Sequence, residues 1–328
     1  YMSDRIPQTP PVIAPVTSTK RPLWSVMIPT YNCTRFVKAT LESVLQQDPG
    51  ADVMQIEVVD DGSTDGDVET LVQEVGKGRV LFYRQPQNRG SLRNFETCLN
   101  RAKGHWVHLL HGDDMVAEGF YAEIQSLFEA HPEAGAAIVK NSYINTEGYE
   151  TGIERQIQDQ PGIIQNWLEI IATRQRLQPP AIVVKREVYE KLGGFFAVHY
   201  GEDWEMYTRI AANYPVAYSP KYLAKYRVHG DNITSQSYLK GQHIKDLKTV
   251  IEIIQNYLPP HLRKKVKKAS LRIKSEWFAR HAHAVYLKNP DAALLHAKHA
   301  LKLSTNLLTI GFSGLLYLKY YTRWNRKR

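Results

Sequence analysis

Between residues 23 and 144 the chain alternates between two periodicities. Short apolar runs, "LWSVMIP" (23–29), "MQIEVVD" (54–60), "RVLFYRQ" (79–85), "HWVHLL" (105–110) and "GAAIVKNSYI" (135–144), read as strands. The stretches between them have helical spacing. "TRFVKATLESVLQQ" (34–47) sets Phe36, Val37, Leu41, Val44 and Leu45 on one side, and 67–75, 91–103 and 119–132 follow the same rule. Parallel strands need a long crossover, so this alternation predicts an α/β domain around a mainly parallel sheet. Ligands of such sheets sit beyond the carboxyl ends of the strands. Polar turns fall there: "TYN" after 29, "DDGSTD" after 59 and "HGDD" after 110.

The remainder is less regular. Residues 166–175 and 202–214 read as helices, 181–186 and 216–229 as extended chain. From about 240 onward the pattern is helical, broken at "LPPHL" (258–262) and restarted at "NPDA" (289–292). Residues 278–304 have the form of one helical hairpin. Repeat arrays need about three units, so a single helix pair is expected. Residues 1–22 are proline-rich without an apolar run, which predicts a flexible arm and neither a signal peptide nor an anchor.

Charge is divided unevenly. Residues 261–328 hold 16 Lys and Arg against Glu276 and Asp291, a balance of +14, while the first 260 hold 26 basic and 31 acidic residues, a balance of −5. A cationic segment implies an anionic partner or a solvated helix surface. Residues 305–328, aromatic and basic but short of the ~20 apolar residues of a membrane span, suit either an interfacial helix or a helix docked on the protein. No nucleic-acid-binding module is present, so no nucleic acid partner is expected. Cys33 and Cys98 form no CxxC pair, which argues against a disulfide framework or a cysteine zinc site and fits a reducing cytoplasm.

Several stretches carry residues suited to phosphate, metal and proton chemistry. They are "SVMIPTYN", "VVDDGSTDG", "NRGSLRNFETCLNRAKGHWVHLLHGDD", "GEDWEM" and "YRVHGDNIT", in that order. Together they resemble the family 2 glycosyltransferases, inverting enzymes of the GT-A nucleotide-diphospho-sugar transferase fold, over roughly residues 23–235. The resemblance implies a GT-A domain at 23–235, which leaves the flexible arm at 1–22 and the basic helical extension at 236–328 on either side of it.

The same resemblance assigns roles. Pro29, Thr30 and Tyr31 would hold a nucleotide base, with Tyr31 as a stacking face. Asp60 would accept from base N–H or ribose hydroxyls, assisted by Asp61; within the same turn Ser63 or Asp65 suits helix capping. Arg93 sits where the family shows an "ARN"-like element, either touching phosphate or orienting the aspartates; an ordinary helix-surface ion pair is the alternative. Gly112 permits close approach of a ligand. His111 stands where the family's first metal-motif Asp is expected, and Asp113 matches its last. Asp113, with His111 and His229, would hold Mn2+ or Mg2+, for which carboxylate and imidazole are suitable donors; His111 otherwise reaches phosphate or ribose. Asp203 matches the catalytic base, at an expected helix start that favours the ionised carboxylate. Glu202, Trp204 and Arg227 fall on the acceptor or phosphate side, although Trp204 also suits the core.

The expected activity is metal-dependent inverting transfer of a hexosyl or N-acetylhexosaminyl group from a nucleotide sugar, in the first instance a UDP-sugar. The acceptor would be a hydroxyl of a polysaccharide or lipid-linked glycan, at the inner face of the cytoplasmic membrane. The sequence has two rival readings. A sugar-phosphate nucleotidyltransferase needs a glycine-rich loop after the first strand, which "IPTYNCTRF" lacks. A non-catalytic nucleotide-sugar-binding scaffold at the membrane would bind donor without turnover.

Overall fold

The computed structural model describes residues 4–230, 242–287 and 289–326, and they form two units. Unit 1 comprises Tyr1–Trp167 and Arg176–His229, and unit 2 comprises Leu168–Gln175 and Gly230–Arg328.

In unit 1 the alternating segments become β1 (Trp24–Thr30), α1 (Thr34–Leu45), β2 (Met54–Asp60), α2 (Val68–Gly76), β3 (Leu81–Arg84), α3 (Ser91–Arg101), β4 (Trp106–Leu109), β5 (Met115–Val116), α4 (Phe120–Ala130) and β6 (Ala136–Ile144). Strands β1 and β2 are buried along their whole length, which is why they read as continuous apolar runs. The sheet order is β3-β2-β1-β4-β9-β6-β10-β5, where β9 is Ile182–Lys185 and β10 is Val216–Arg227. Strands β3, β2, β1 and β4 are mutually parallel, as are β6 and β10. Between these groups β9 runs antiparallel to both β4 and β6, so all six parallel strands point the same way. Short β7 (Glu150–Ile153) and β8 (Gly162–Ile163) pair antiparallel with β6 and β10. Helices α6 (Arg186–Leu192) and α7 (Glu202–Asn213) lie between β9 and β10 in the chain.

Side chains under the sheet are tightly engaged. Trp24 is fully buried, with Trp106 and Tyr121 edge-on at 5.0 and 5.1 Å. His108, also fully buried, bonds through Nε2 to the Pro180 carbonyl at 3.1 Å and through Nδ1 to the Tyr121 hydroxyl at 3.2 Å. A carbonyl only accepts, so Nε2 carries the proton and Nδ1 accepts from Tyr121.

The proline-rich segment is not the expected mobile arm. Ile13 is buried in unit 1, and Gly194 N and Ala197 N donate to the carbonyls of Pro11 and Pro7 at 2.8 Å. A Cβ at Gly193 would come within 2.8 Å of Pro10 Cβ, so small residues at 193–194 make room for the strap.

Unit 2 contains most of α5 (Trp167–Thr173), then α8 (Gln242–Gln255), α9 (Pro260–Tyr286), α10 (Pro290–Leu303) and α11 (Leu307–Arg326). Asn289 caps α10 by accepting from Ala292 N at 3.0 Å, and Pro290 fills its first position. The expected helix pair α9–α10 is present, but α11 joins it. Ala282, Tyr286, Ala293, Ala297 and Leu316 form one buried cluster from all three helices.

Candidate functional site

Because β1, β2 and β4 are parallel neighbours, their carboxyl ends bring residues 30–34, 60–66 and 110–114 to one edge. Asp60 at the end of β2 is fully buried and binds four donors. Its Oδ1 accepts from Thr30 Oγ1 at 3.2 Å and Ser63 Oγ at 2.5 Å, and its Oδ2 from Ser63 N at 3.2 Å and Arg84 Nε at 2.7 Å. The turn is tied to the start of α1. Asp65 accepts from Thr34 N and Oγ1 at 3.0 and 2.6 Å, and Asn32 accepts from Thr64 N at 2.8 Å. Asp65 thus satisfies a free N–H at the start of α1, and the cap of α2, which the turn led one to expect from Ser63 or Asp65, is Asp67.

Several residues expected at the nucleotide are engaged within the fold. Asp60 holds the ends of β1, β2 and β3 together and offers no exposed oxygen. Asp61, 2% exposed, faces the 88–90 turn and accepts from Asn88 Nδ2, Arg89 N and Gly90 N at 2.9, 2.7 and 2.8 Å. Burial pushes its carboxyl above the usual range despite those N–H groups. The backbones of Pro29 and Thr30 are spent on the fold, their carbonyls accepting from Gly112 N at 3.1 Å and Asp61 N at 2.9 Å. Arg93 turns to the strap, donating to Asp4 O at 2.7 Å and Glu96 Oε2 at 2.8 Å. Of this group Tyr31 alone is exposed, at 51%, and is available as a stacking face.

The 111–114 turn is built with little freedom. A Cβ at Gly112 would sit 2.5 Å from Thr30 Cγ2 and 3.1 Å from Cys33 Sγ, so glycine is needed for the turn to lie against β1. Thr40 on α1 points its hydroxyl at the carbonyls of Gly112 and Asp114, 3.0 and 2.7 Å away. Arg227 at the end of β10 is buried and donates Nε to Asp113 O at 2.8 Å and Nη1 to Asn145 O and Thr146 O at 2.8 and 3.0 Å. Its guanidinium therefore braces the turn by donating to backbone carbonyls.

His111, Asp113 and Asp114 offer ligand atoms that all lie within 4.8 Å of one another. Asp114 was missed by the sequence reading. Its Oδ1 accepts from Arg227 N at 2.9 Å, but its Oδ2 is buried without a hydrogen-bond partner. Burial, then the Asp113 charge, push the Asp114 carboxyl well above its ordinary value. A buried carboxylate oxygen left unpaired is costly, and a hard divalent cation shared with Asp113 and His111 would satisfy it. The residues therefore fit such an ion. Burial also works against ionised Asp113, but the hydrogen bond from His229 and the nearby imidazoles outweigh it and hold that carboxyl below its usual range. His229 Nε2 lies 2.9 Å from Asp113 Oδ2, so His229 orients Asp113 and lies outside the group of three. The rest of its motif, 231–234, lies outside the described residues. His111 stacks on Phe95, with ring centres 5.1 Å apart and planes at 17°.

Gly201, at φ +90°, turns the chain into α7, so Glu202 and Asp203 fall in the first turn. Asp203 Oδ1 accepts from Trp204 N at 2.7 Å. Asp203 and Glu202 line a small recess with His111, Phe95, Phe195 and Tyr207. Trp204 is fully buried and belongs to the core, not to an acceptor pocket. Tyr207, one turn beyond Asp203, was not singled out in the sequence; its i,i+4 spacing on the same helix face was the available signal.

The model of Glycosyl transferase family 2 matches residues 25–193, more than half of the chain. An uncharacterized glycosyltransferase of Haemophilus influenzae is 24% identical over 248 residues, covering 72% of this chain and 75% of that protein. One from Mycoplasma genitalium is 33% identical over 98 residues, covering 29% of this chain and a third (33%) of that relative's length. Among solved structures, S. aureus TarS 1–349 in complex with UDP-GlcNAc aligns with a TM-score of 0.62 at 15% identity, covering 93% of this chain and 92% of that one. The mannosyltransferase PcManGT of Pyrobaculum calidifontis, in complex with GDP-Man and Mn2+, gives 0.56 at 22% identity, covering 97% and 85%. At such identities the likeness is one of fold. With its polar turns gathered at the ends of parallel strands and the family match spanning them, this chain belongs to glycosyl transferase family 2 and is a transferase of GT-A-like fold.

Proposed function

We propose that the chain is a divalent-cation-dependent inverting glycosyltransferase that moves a hexosyl or N-acetylhexosaminyl group from a UDP-sugar to a hydroxyl of a glycan or lipid-linked acceptor. The observation that carries this reading is the recess that His111, of the candidate cation group, shares with Asp203. In the proposed step Asp203 takes the proton of the acceptor hydroxyl as its oxygen attacks the anomeric carbon. The bond from that carbon to the diphosphate oxygen breaks, and UDP departs with the electron pair. Trp204 N donates to Asp203 Oδ1 at 2.7 Å and so orients the carboxylate at the start of α7. Tyr31 supplies a face for the nucleotide base. Mn2+ or Mg2+ bound by Asp113, Asp114 and His111 would neutralise charge on the departing diphosphate. Structural neighbours hold UDP-GlcNAc in one case and GDP-Man in another, so the donor panel includes both nucleotides. The buried free thiols of Cys33 and Cys98 support a cytoplasmic location.

The test is transfer to a panel of glycan and lipid-linked acceptors, with nucleotide release followed for wild type and Asp203→Asn. Loss of about 10²- to 10⁴-fold in turnover with donor affinity kept is expected for removal of a general base. Full activity of Asp203→Asn would refute the assignment. Donor binding without turnover across the panel would favour the non-catalytic alternative.

A further inference from the structure

Independently of the reaction assigned above, we infer that the outward face of α11 is a lipid-binding surface that lays unit 2 on an anionic bilayer. One side of α11 is used by the fold: Thr309, Ser313 and Leu316 are fully buried. The opposite side carries Leu307, Leu308, Ile310, Leu315, Leu318 and Tyr321, between 48% and 88% exposed. Gly311 and Gly314 add no side chain there, and the helix contains no acidic residue. A surface helix in water ordinarily turns its charged side outward. Here the exposed side is the apolar one, and such a patch marks an interaction site. Among the described residues no helix is long and apolar enough to cross a membrane, so the geometry suits a helix lying in the interface.

Charge selects the occupant. Lys319 is followed by Arg323, Arg326, Lys327 and Arg328, and no acidic residue occurs after Asp291. The basic run on α9 is partly neutralised within unit 2, where Lys265 pairs with Glu169 at 2.5 Å and Lys267 with Glu252 at 2.6 Å. In the sequence, the positive charge left unneutralised is therefore concentrated in the last ten residues, directly after the apolar positions of α11. Anionic phospholipid headgroups complement it. A second copy would bring its own +14 balance over residues 261–328 and repel.

The experiment is flotation of the full chain with vesicles of phosphatidylcholine alone and of phosphatidylcholine with phosphatidylglycerol. Partition onto the anionic vesicles should be stronger by about tenfold or more and fall with added salt. Leu315→Glu with Leu318→Glu should reduce it by about tenfold or more, whereas Leu318→Ile should not. Circular dichroism of each variant checks folding, which substitution of exposed side chains should leave intact. Equal partition onto both vesicle types, or wild-type partition of the double variant, would overturn the proposal. A concentration-dependent dimer in sedimentation, abolished by the same double variant, would overturn it in favour of self-association.

Discussion

Gly112→Ala should disturb the cation group without touching any of its ligand atoms. The new Cβ would stand 2.5 Å from Thr30 Cγ2, 3.1 Å from Cys33 Sγ and 3.3 Å from Pro29 O. Thr30 is 2% exposed with its hydroxyl on Asp60, so its methyl has nowhere to go. Overpacking of this kind costs ~1–3 kcal/mol, a factor of roughly 5 to 150 in the folding equilibrium. Thr30→Ser deletes the clashing methyl and keeps the hydroxyl, at a cost of about 1 kcal/mol for a buried carbon. The double variant should therefore be more stable than the sum of the single costs predicts, by ~1 kcal/mol or more. Urea unfolding of the four proteins gives the coupling. UDP affinity in manganese should fall in Gly112→Ala and recover in part in the double variant. Additivity within ~0.5 kcal/mol would show that the Thr30 methyl does not limit residue 112 and would refute the packing argument.

Arg227→Gln removes the Nε donor to the carbonyl of Asp113 and the Nη1 donor shared by Asn145 O, which keeps Gly148 N at 3.1 Å, and Thr146 O, which is on an exposed residue. One carbonyl left unpaired costs ~1–3 kcal/mol, so urea unfolding should show a loss in that range; no measurable loss would contradict the bracing role. A pH effect follows from His108, whose pKa burial lowers from the ordinary 6.5 to about 3. The imidazole is neutral in the fold and charges on unfolding, so its contribution is present above 6.5 and is lost as pH falls through the window from 6.5 towards 3. Between about pH 7 and about pH 5 it should withdraw about 2 kcal/mol of stability. His108→Gln should lack that share of the slope in urea titrations at the two pH values, and an unchanged slope would reject the buried neutral imidazole.

The parallel half of the sheet was legible because each strand is a continuous apolar run and each crossover helix is amphipathic. An apolar run of four residues such as Ile182–Lys185 carries no direction, so the antiparallel insertion of β9 was not. Asp60 and Asp61 were expected to serve one ligand together, yet neighbours at a strand end point to opposite sides, and each is engaged by a different turn. Thr40 and Arg227 act on the 111–114 turn from 72 and 114 residues away in the chain, and no local pattern announces such contacts. Asp114 was hidden by the match to a familiar motif, which directed attention to His111 and Asp113. The strap carries no apolar periodicity, because prolines suppress it, while buried Pro7 and Ile13 and a few backbone bonds hold it.

Calorimetric titration of UDP into the full chain, with and without Mn2+, tests the central claim most directly, and Asp113→Asn supplies the matched control. The account predicts manganese-dependent binding that weakens by about tenfold or more when that carboxylate is neutralised. Absence of binding by both UDP and GDP, or equal affinity with and without the metal, would contradict a cation-assisted diphosphate site at the strand ends.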